Sequence, residues 1–314
     1  MSRTAAGTYA LPRSLTGSIK RHPGMGLVIA VLTVIALAAA FAPVIAPQDP
    51  YDLASLDVLD SEIPPSWLPG GEARFPLGTD AQGRDLFSTV LYGLRISLII
   101  GILAVTIQAA IGITLGALAG YLGGRLDTLI TRIADIQLAL STLMLAIVAL
   151  ALVRAALGGQ TLGASAVPVL VIVIGLAEWP FFARTARAAM LVEKQKDYVR
   201  ASRALGATGT TIVLRHILPN IGAPLIIVAT IGMANAIMAE AALSFLGLGM
   251  PPTQPSLGTL IRSGYDLIFA GAWWVTLIPG AVLVVLLLCV NLLGDGLRDA
   301  LDPRLKRGAG EGAL

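Results

Sequence analysis

Apolar runs of membrane length alternate with short charged stretches along almost the whole chain. The first run, GMGLVIAVLTVIALAAAFAPVIA from Gly24 to Ala46, exceeds the roughly 20 apolar residues that a helix needs to cross the hydrocarbon core. Comparable runs follow at about Ile96–Tyr121, Leu138–Leu157, Val167–Phe182, Ile221–Leu246 and Trp274–Leu293. This pattern predicts an all-α membrane protein with about six transmembrane helices. The first run is longer than the 7–15-residue core of a cleaved signal peptide, so it reads as a retained span. The organisation expected is a tail at 1–23, a first helix at 24–46 and an outer segment at 47–94. A core of five spans at 95–295 follows, containing a charged loop at 184–220, and a second tail closes the chain at 296–314.

The polar stretches orient these spans. Gln48 to Tyr92 carries Asp49, Asp52, Asp57, Asp60, Glu62, Glu72, Asp80 and Asp85 against Arg74 and Arg84, and its prolines argue against one long helix. The loop after the fourth run holds Arg184, Arg187, Lys194, Lys196, Arg200, Arg203 and Arg215 against Glu193 and Asp197. Lysine and arginine concentrate on the cytoplasmic side, which puts this loop and both tails inside and the acidic segment outside. Arg125 and Arg132 are expected to mark a short inside loop, and Gly158 to Ala166 a short outside turn.

Composition agrees with the membrane class. Of 314 residues, 56% are hydrophobic and 13% charged, where a soluble domain carries about 25% charged; the mean hydropathy is +0.81. The net charge of +3 does not point to nucleic acid, because the basic residues sort by membrane side. A single cysteine (Cys289) and two distant histidines (His22, His216) offer no disulfide framework, metal site or nucleophilic centre, and no cofactor is implied. No G-x-x-x-x-G-K-[ST] phosphate loop occurs, so ATP hydrolysis is not expected of this chain.

Three features carry candidate chemistry. Gly112, Gly116, Gly120 and Gly124 recur every fourth residue, a spacing that lines one helix face and lets another backbone approach. Glu178, Asn235 and Glu240 fall inside apolar runs, where a polar side chain faces protein or a watery path. For Glu178 a position near the interface is the equal alternative, and for Glu240 a helix anchor is favoured over a place on the path. The third feature is DYVRASRALGATGTTIVLRHILPN, Asp197 to Asn220. Asp197 is placed to cap a helix on which Tyr198, Ala201 and Leu205 share a face, with Arg200 and Arg203 turned elsewhere. Gly206 is a natural stop, and Thr208 or Thr210 can cap a second helix that Pro219 breaks. A plain basic loop would show the same charge. A DNA-binding helix-turn-helix would show the same glycine, but the flanking hydrocarbon-length runs argue against one.

Gly206, nine residues, then His216-Ile217-Leu218-Pro219 resembles the cytoplasmic signature of binding-protein-dependent ABC importers. In that signature Glu-Ala-Ala, three residues and Gly are followed nine residues later by Ile, any residue, Leu and Pro. Arg200-Ala201-Ser202 stands where Glu-Ala-Ala usually stands and His216 where Ile does, so no contact of the family's glutamate carries over. Gly78-Thr79-Asp80, Gly83-Arg84-Asp85, Tyr92-Gly93 and Arg95-Ile96-Ser97-Leu98 are similar to the second permease of dipeptide, oligopeptide and nickel importers, with Thr89 replacing a frequent basic residue. Ala239 to Gly249 and the closing LLGDGLRDALDPRLKR are similar to the same subclass.

The resemblance implies a type I ABC importer permease in the bacterial inner membrane, bathed in lipid. It implies a second homologous permease, two ATP-binding cassette subunits and an extracytoplasmic substrate-binding protein as partners, and no nucleic acid. Asp197, Tyr198, Arg200, Ala201, Ser202, Leu205, Gly206 and Pro219 would form the coupling segment that docks on the ATPases. Peptide is the expected cargo and nickel the alternative within the family. A secondary transporter or channel is the rival of another class.

Overall fold

The computed structural model describes residues 23–52, 56–157 and 162–301. Both tails, with Arg3, Arg13, Lys20, Arg21, His22, Arg304, Lys306 and Arg307, lie outside the described residues, as do residues 158–161 of the expected turn after Leu157; residues 162–166 of that turn belong instead to the helix that follows. The chain is helical, and the only strand-like pairing among the described residues is an isolated bridge between Thr79 and Asp85.

Among the described residues, four helices are long and apolar enough to cross a membrane: α3 (Leu86–Leu122), α6 (Leu162–Glu193), α10 (Gly222–Phe245) and α12 (Trp274–Leu301). A fifth span results if α4 (Gly124–Ala139) and α5 (Thr142–Leu157) are taken together, although they bend by 94° at their junction. The first apolar helix, α1 (Pro23–Ala40), has 18 residues and stops short of the expected Ala46. Pro43 forces a break, and the run resumes as the single turn α2 (Ala42–Ile45). The about six spans expected therefore correspond to four continuous helices, one bent pair and this shorter helix.

Several boundaries differ from the sequence pattern for local reasons. Helix α3 starts about ten residues before Ile96 because Asp85 caps it, its carboxylate accepting from Ser88 N–H at 2.8 Å. Arg125 and Arg132 lie on α4, not in a loop. Helix α6 runs on through Pro180 to Glu193, past the expected end at Phe182. A proline removes one helical hydrogen bond and orphans the carbonyl four residues earlier. Here the Leu176 carbonyl accepts instead from Gln137 Nε2 of α4 at 2.7 Å, and the Ala177 carbonyl from the same nitrogen at 2.9 Å.

Helix α3 packs most extensively against α6. A Cβ added at Gly112 would lie 2.5 Å from the Trp179 carbonyl oxygen, at Gly116 2.3 Å from that of Ala183, and at Gly120 2.8 Å from Met190 Cβ. These three glycines form the packing face that their spacing predicts. Gly124 does not join it: the residue sits past the end of α3 at φ +62° with open space around its Cβ position.

The acidic segment before α3 folds against the opposite end of the bundle from residues 197–220. Asp80 accepts from the backbone N–H groups of Gln82 and Arg84 and pairs with the Arg84 guanidinium at 2.7 Å, both side chains being buried. Arg84 also donates to the Pro252 carbonyl at 3.0 Å, and Trp274 Nε1 donates to the Thr79 carbonyl at 3.1 Å. Helix α11 (Leu257–Tyr265) lies at this same end, started by a Ser256–Thr259 capping box.

Candidate coupling segment and intramembrane polar groups

The segment after α6 folds as a short helix, a glycine corner and a second, irregular helix. Helix α7 (Asp197–Ala204) has eight residues, or about 12 Å. Lys196, in extended conformation, holds the cap position, so Asp197 is the first helical residue and does not cap. Its side chain is fully exposed and stands 3.8 Å from Arg200, an exposed pair of the kind worth little. The chain turns at Gly206, whose φ of +83° favours glycine. Gly206 N–H bonds back to the Arg203 carbonyl and Ala207 N–H to that of Ser202, the double closure of a Schellman end.

Thr208 then caps α8 (Gly209–Thr211), accepting from Thr211 N–H. The helix continues as a π turn at Ile212–Ile217 and ends in α9 (Leu218–Asn220). Pro219 therefore does not break the helix; it sits in the last turn. Its ring crowds the carbonyl four residues back, and the wider π turn accommodates it, with Leu218 N–H reaching the Val213 carbonyl.

Burial divides this segment differently from the expected face of Tyr198, Ala201 and Leu205. Val199 is the buried residue of α7, packing with Ile212 and Ile217 against Ala117 of α3 and Ala186 and Met190 of α6. Tyr198 is half-buried, whereas Ala201 is exposed and Leu205 is 89% exposed. The outer surface thus carries Arg200, Ala201, Arg203 and Leu205, closed by Gly206, which has open space around its Cβ position. The inner surface is fastened by a network that the sequence reading missed. Tyr198 Oη donates to Glu193 Oε1 at 2.8 Å, and Lys196 pairs with the other Glu193 oxygen at 2.7 Å. Asn220 Nδ2 reaches Tyr198 Oη at 3.4 Å and the His216 carbonyl at 2.7 Å. Glu193, a lone acid at the end of an apolar helix, was the available signal.

The three intramembrane candidates do not form one site. Glu240 of α10 is fully buried. It accepts from Ser97 Oγ of α3 at 2.8 Å and from Ser244 Oγ of its own helix at 2.7 Å, with the Ser256 hydroxyl beside it at the start of α11. Ser97 is the partner that sequence reading did not name. Asn235 is half-buried, and its side chain has no hydrogen bond to another described residue. Glu178 is buried on α6, and its side chain likewise has no hydrogen-bonding or ionic partner among the described residues. Next to it Trp179 Nε1 donates to Gln137 Oε1 at 2.9 Å, tying α6 to α4.

These helices, with a broken span and a glycine-closed corner between two spans, define a class of fold. The permease of the MetNI methionine ABC transporter in its inward-facing form shares it, with a TM-score of 0.54 and 22% identity over 68% of this chain and 97% of that one. The class narrows on sequence. Residues 112–307 match the family described as binding-protein-dependent transport system inner membrane component, and the chain belongs to that family of multi-pass inner-membrane proteins. It is 45% identical over 278 residues to the di/tripeptide transport system permease protein DppC of Pseudomonas aeruginosa strain UCBPP-PA14, covering 88% of this chain and 87% of that protein. It is 41% identical over 289 residues to the dipeptide transport system permease protein DppC of Escherichia coli K12, covering 92% and 91%.

Proposed function

We propose that this chain is the permease subunit of an ABC importer of di- or oligopeptides. It pairs with a second, homologous permease to enclose the translocation path. Two ATP-binding cassette subunits dock on residues 197–220, and an extracytoplasmic binding protein delivers the cargo. The chain hydrolyses no ATP itself; its partners do. The observation that carries the peptide assignment is the 45% identity, over 88% of the chain, to a protein named for di- and tripeptide transport.

The geometry supports the coupling role. A lever between an ATPase and a membrane span needs one surface free to dock and another fixed to the span. Residues 197–220 have both: Leu205 exposed at the corner, and Val199, Ile212 and Ile217 packed on α3 and α6. Glu240 acts as an anchor, one oxygen joining α10 to α3 through Ser97 and the other held by Ser244 of its own helix.

Mild solubilisation of the native membrane, affinity purification of this chain and mass spectrometry test the assembly. Recovery of a second permease with ATP-binding subunits is expected, as is loss of dipeptide uptake when the chain is deleted. Recovery of the chain alone, unchanged after crosslinking through residues 197–206, would favour a secondary transporter.

A further inference from the structure

A cavity of about 870 Å³ lies at the opposite end of the bundle from the coupling segment, between α5, α6, α10 and α11. Pockets for small ligands run from about 300 to 1,000 Å³. Arg84, Arg154, Arg262 and one carboxylate, Asp266, reach its walls. Arg84 is held by Asp80 and by the Pro252 carbonyl. Arg154 Nη2 donates to the Leu248 carbonyl at 2.7 Å, past the end of α10, and its Nε is buried with no partner. Arg262 lies against the Gly247 backbone, so close that a Cβ added there would fall 1.5 Å from its Nη1.

Helix capping accounts for Arg154. It does not account for Arg262 or Asp266. These two stand one helical turn apart, exposed, and form no ion pair with each other or with any other described residue. The cavity therefore presents an uncompensated guanidinium beside a second one, and a separate uncompensated carboxylate. Its apolar wall is the edge-to-face pair Phe245 and Tyr265, 5.9 Å between centroids. Positive charge, negative charge and an apolar surface within one small cavity match a zwitterion carrying a side chain.

We propose that this cavity binds a short peptide by both its ends. The α-carboxylate meets the fork of Arg262 within the positive field of Arg154, the α-ammonium meets Asp266, and side chains lie against Phe245 and Tyr265. The proposal rests on the peptide-importer reading and adds to it a binding site within the permease itself.

Cysteine protection on the complete importer in membranes tests it. Ser263 lines the cavity and is exposed, while the native Cys289 is buried. In a Cys289→Ala background, Ser263→Cys is labelled with an anionic thiol reagent, with and without the dipeptide Ala-Ala; Gln82→Cys provides a second reporter on the cavity wall. Protection scales as 1 + [L]/Kd, so Ala-Ala at about four times its Kd should slow labelling about fivefold. The same dipeptide acetylated at its N-terminus and amidated at its C-terminus should not, and adding Arg262→Gln or Asp266→Asn should abolish protection. Equal labelling with and without Ala-Ala at both reporters, or equal protection by the blocked dipeptide, overturns the proposal. Protection by phosphatidylglycerol vesicles but not by Ala-Ala also overturns it, and gives the cavity to a lipid headgroup. Uptake of labelled Ala-Ala by the same membranes separates the two readings. Protection without uptake supports the site and counts against the peptide-importer function; uptake without protection counts against the site alone.

Discussion

Glycine does opposite things in the α3–α6 seam and at the 206 corner. In the seam, Gly112, Gly116 and Gly120 have ordinary helical backbones, and only the missing side chain matters: a Cβ at Gly116 would press on the Ala183 carbonyl at 2.3 Å. At the corner nothing lies near the Cβ position and only the backbone matters, at φ +83°. One region is closed by contact and the other is held by conformation with its outer surface open. A bundle that must move against partners needs both, because motion imposed at a free corner reaches the spans only if the spans behave as one body.

Substitutions that exchange these roles should separate the two regions. The largest effect is expected for Gly116→Leu, which forces α3 and α6 apart; the chain should fail to accumulate in membranes, read by immunoblot. Next is Gly206→Asp. A non-glycine residue in the left-handed region costs about 1–2 kcal/mol, too little to unfold the bundle, so membrane levels should persist while dipeptide uptake falls to background. Normal uptake in that variant would remove the corner from coupling. Arg84→Met breaks the buried Arg84–Asp80 pair and strands a carboxylate, at a cost of about 3–5 kcal/mol. Thermal unfolding in detergent should show it, and Arg84→Met with Asp80→Leu should recover much of the loss. The smallest effect on stability belongs to Leu205→Ser, within about 0.5 kcal/mol because the side chain contacts solvent. Its signature should be fewer peptides imported per ATP hydrolysed by the assembled importer, and an unchanged ratio would make Leu205 an idle surface residue.

What was legible in the sequence was whatever local backbone rules decide. The apolar runs, the glycine spacing, the stop at Gly206 and the cap at Thr208 each depend on residues a few positions apart. What was not legible depends on distant neighbours. Helix α6 passes Pro180 because Gln137, some forty residues earlier, satisfies the freed carbonyls. The buried side of α7 is Val199, because Ala186 and Met190 lie beneath it; in two helical turns the periodicity is too short to choose between that side and Tyr198, Ala201 and Leu205. Asp197 looked like a cap, yet Glu193 binds both Lys196 and Tyr198 around it, and Lys196 takes the cap position. For Glu240, charge and depth indicated a buried role, but the Ser97 hydroxyl that donates to it is 143 positions away.

The π turn at 212–217 has a consequence for evolution by insertion and deletion. A π turn is one residue of surplus within an α-helix, and each residue of an α-helix advances the chain by about 100°. The wide turn takes up that residue locally: deleting it would let the stretch relax to a regular helix with little rotation of the corner relative to α10, whereas keeping it in a regular helix would swing the corner by something on the order of 100°. The direction in which Leu205 points is thus set by the width of this one turn, the same turn that makes room for Pro219. A homologue that lost one of residues 212–215 would shorten the nine-residue spacing of the signature by one and still aim the corner much as here.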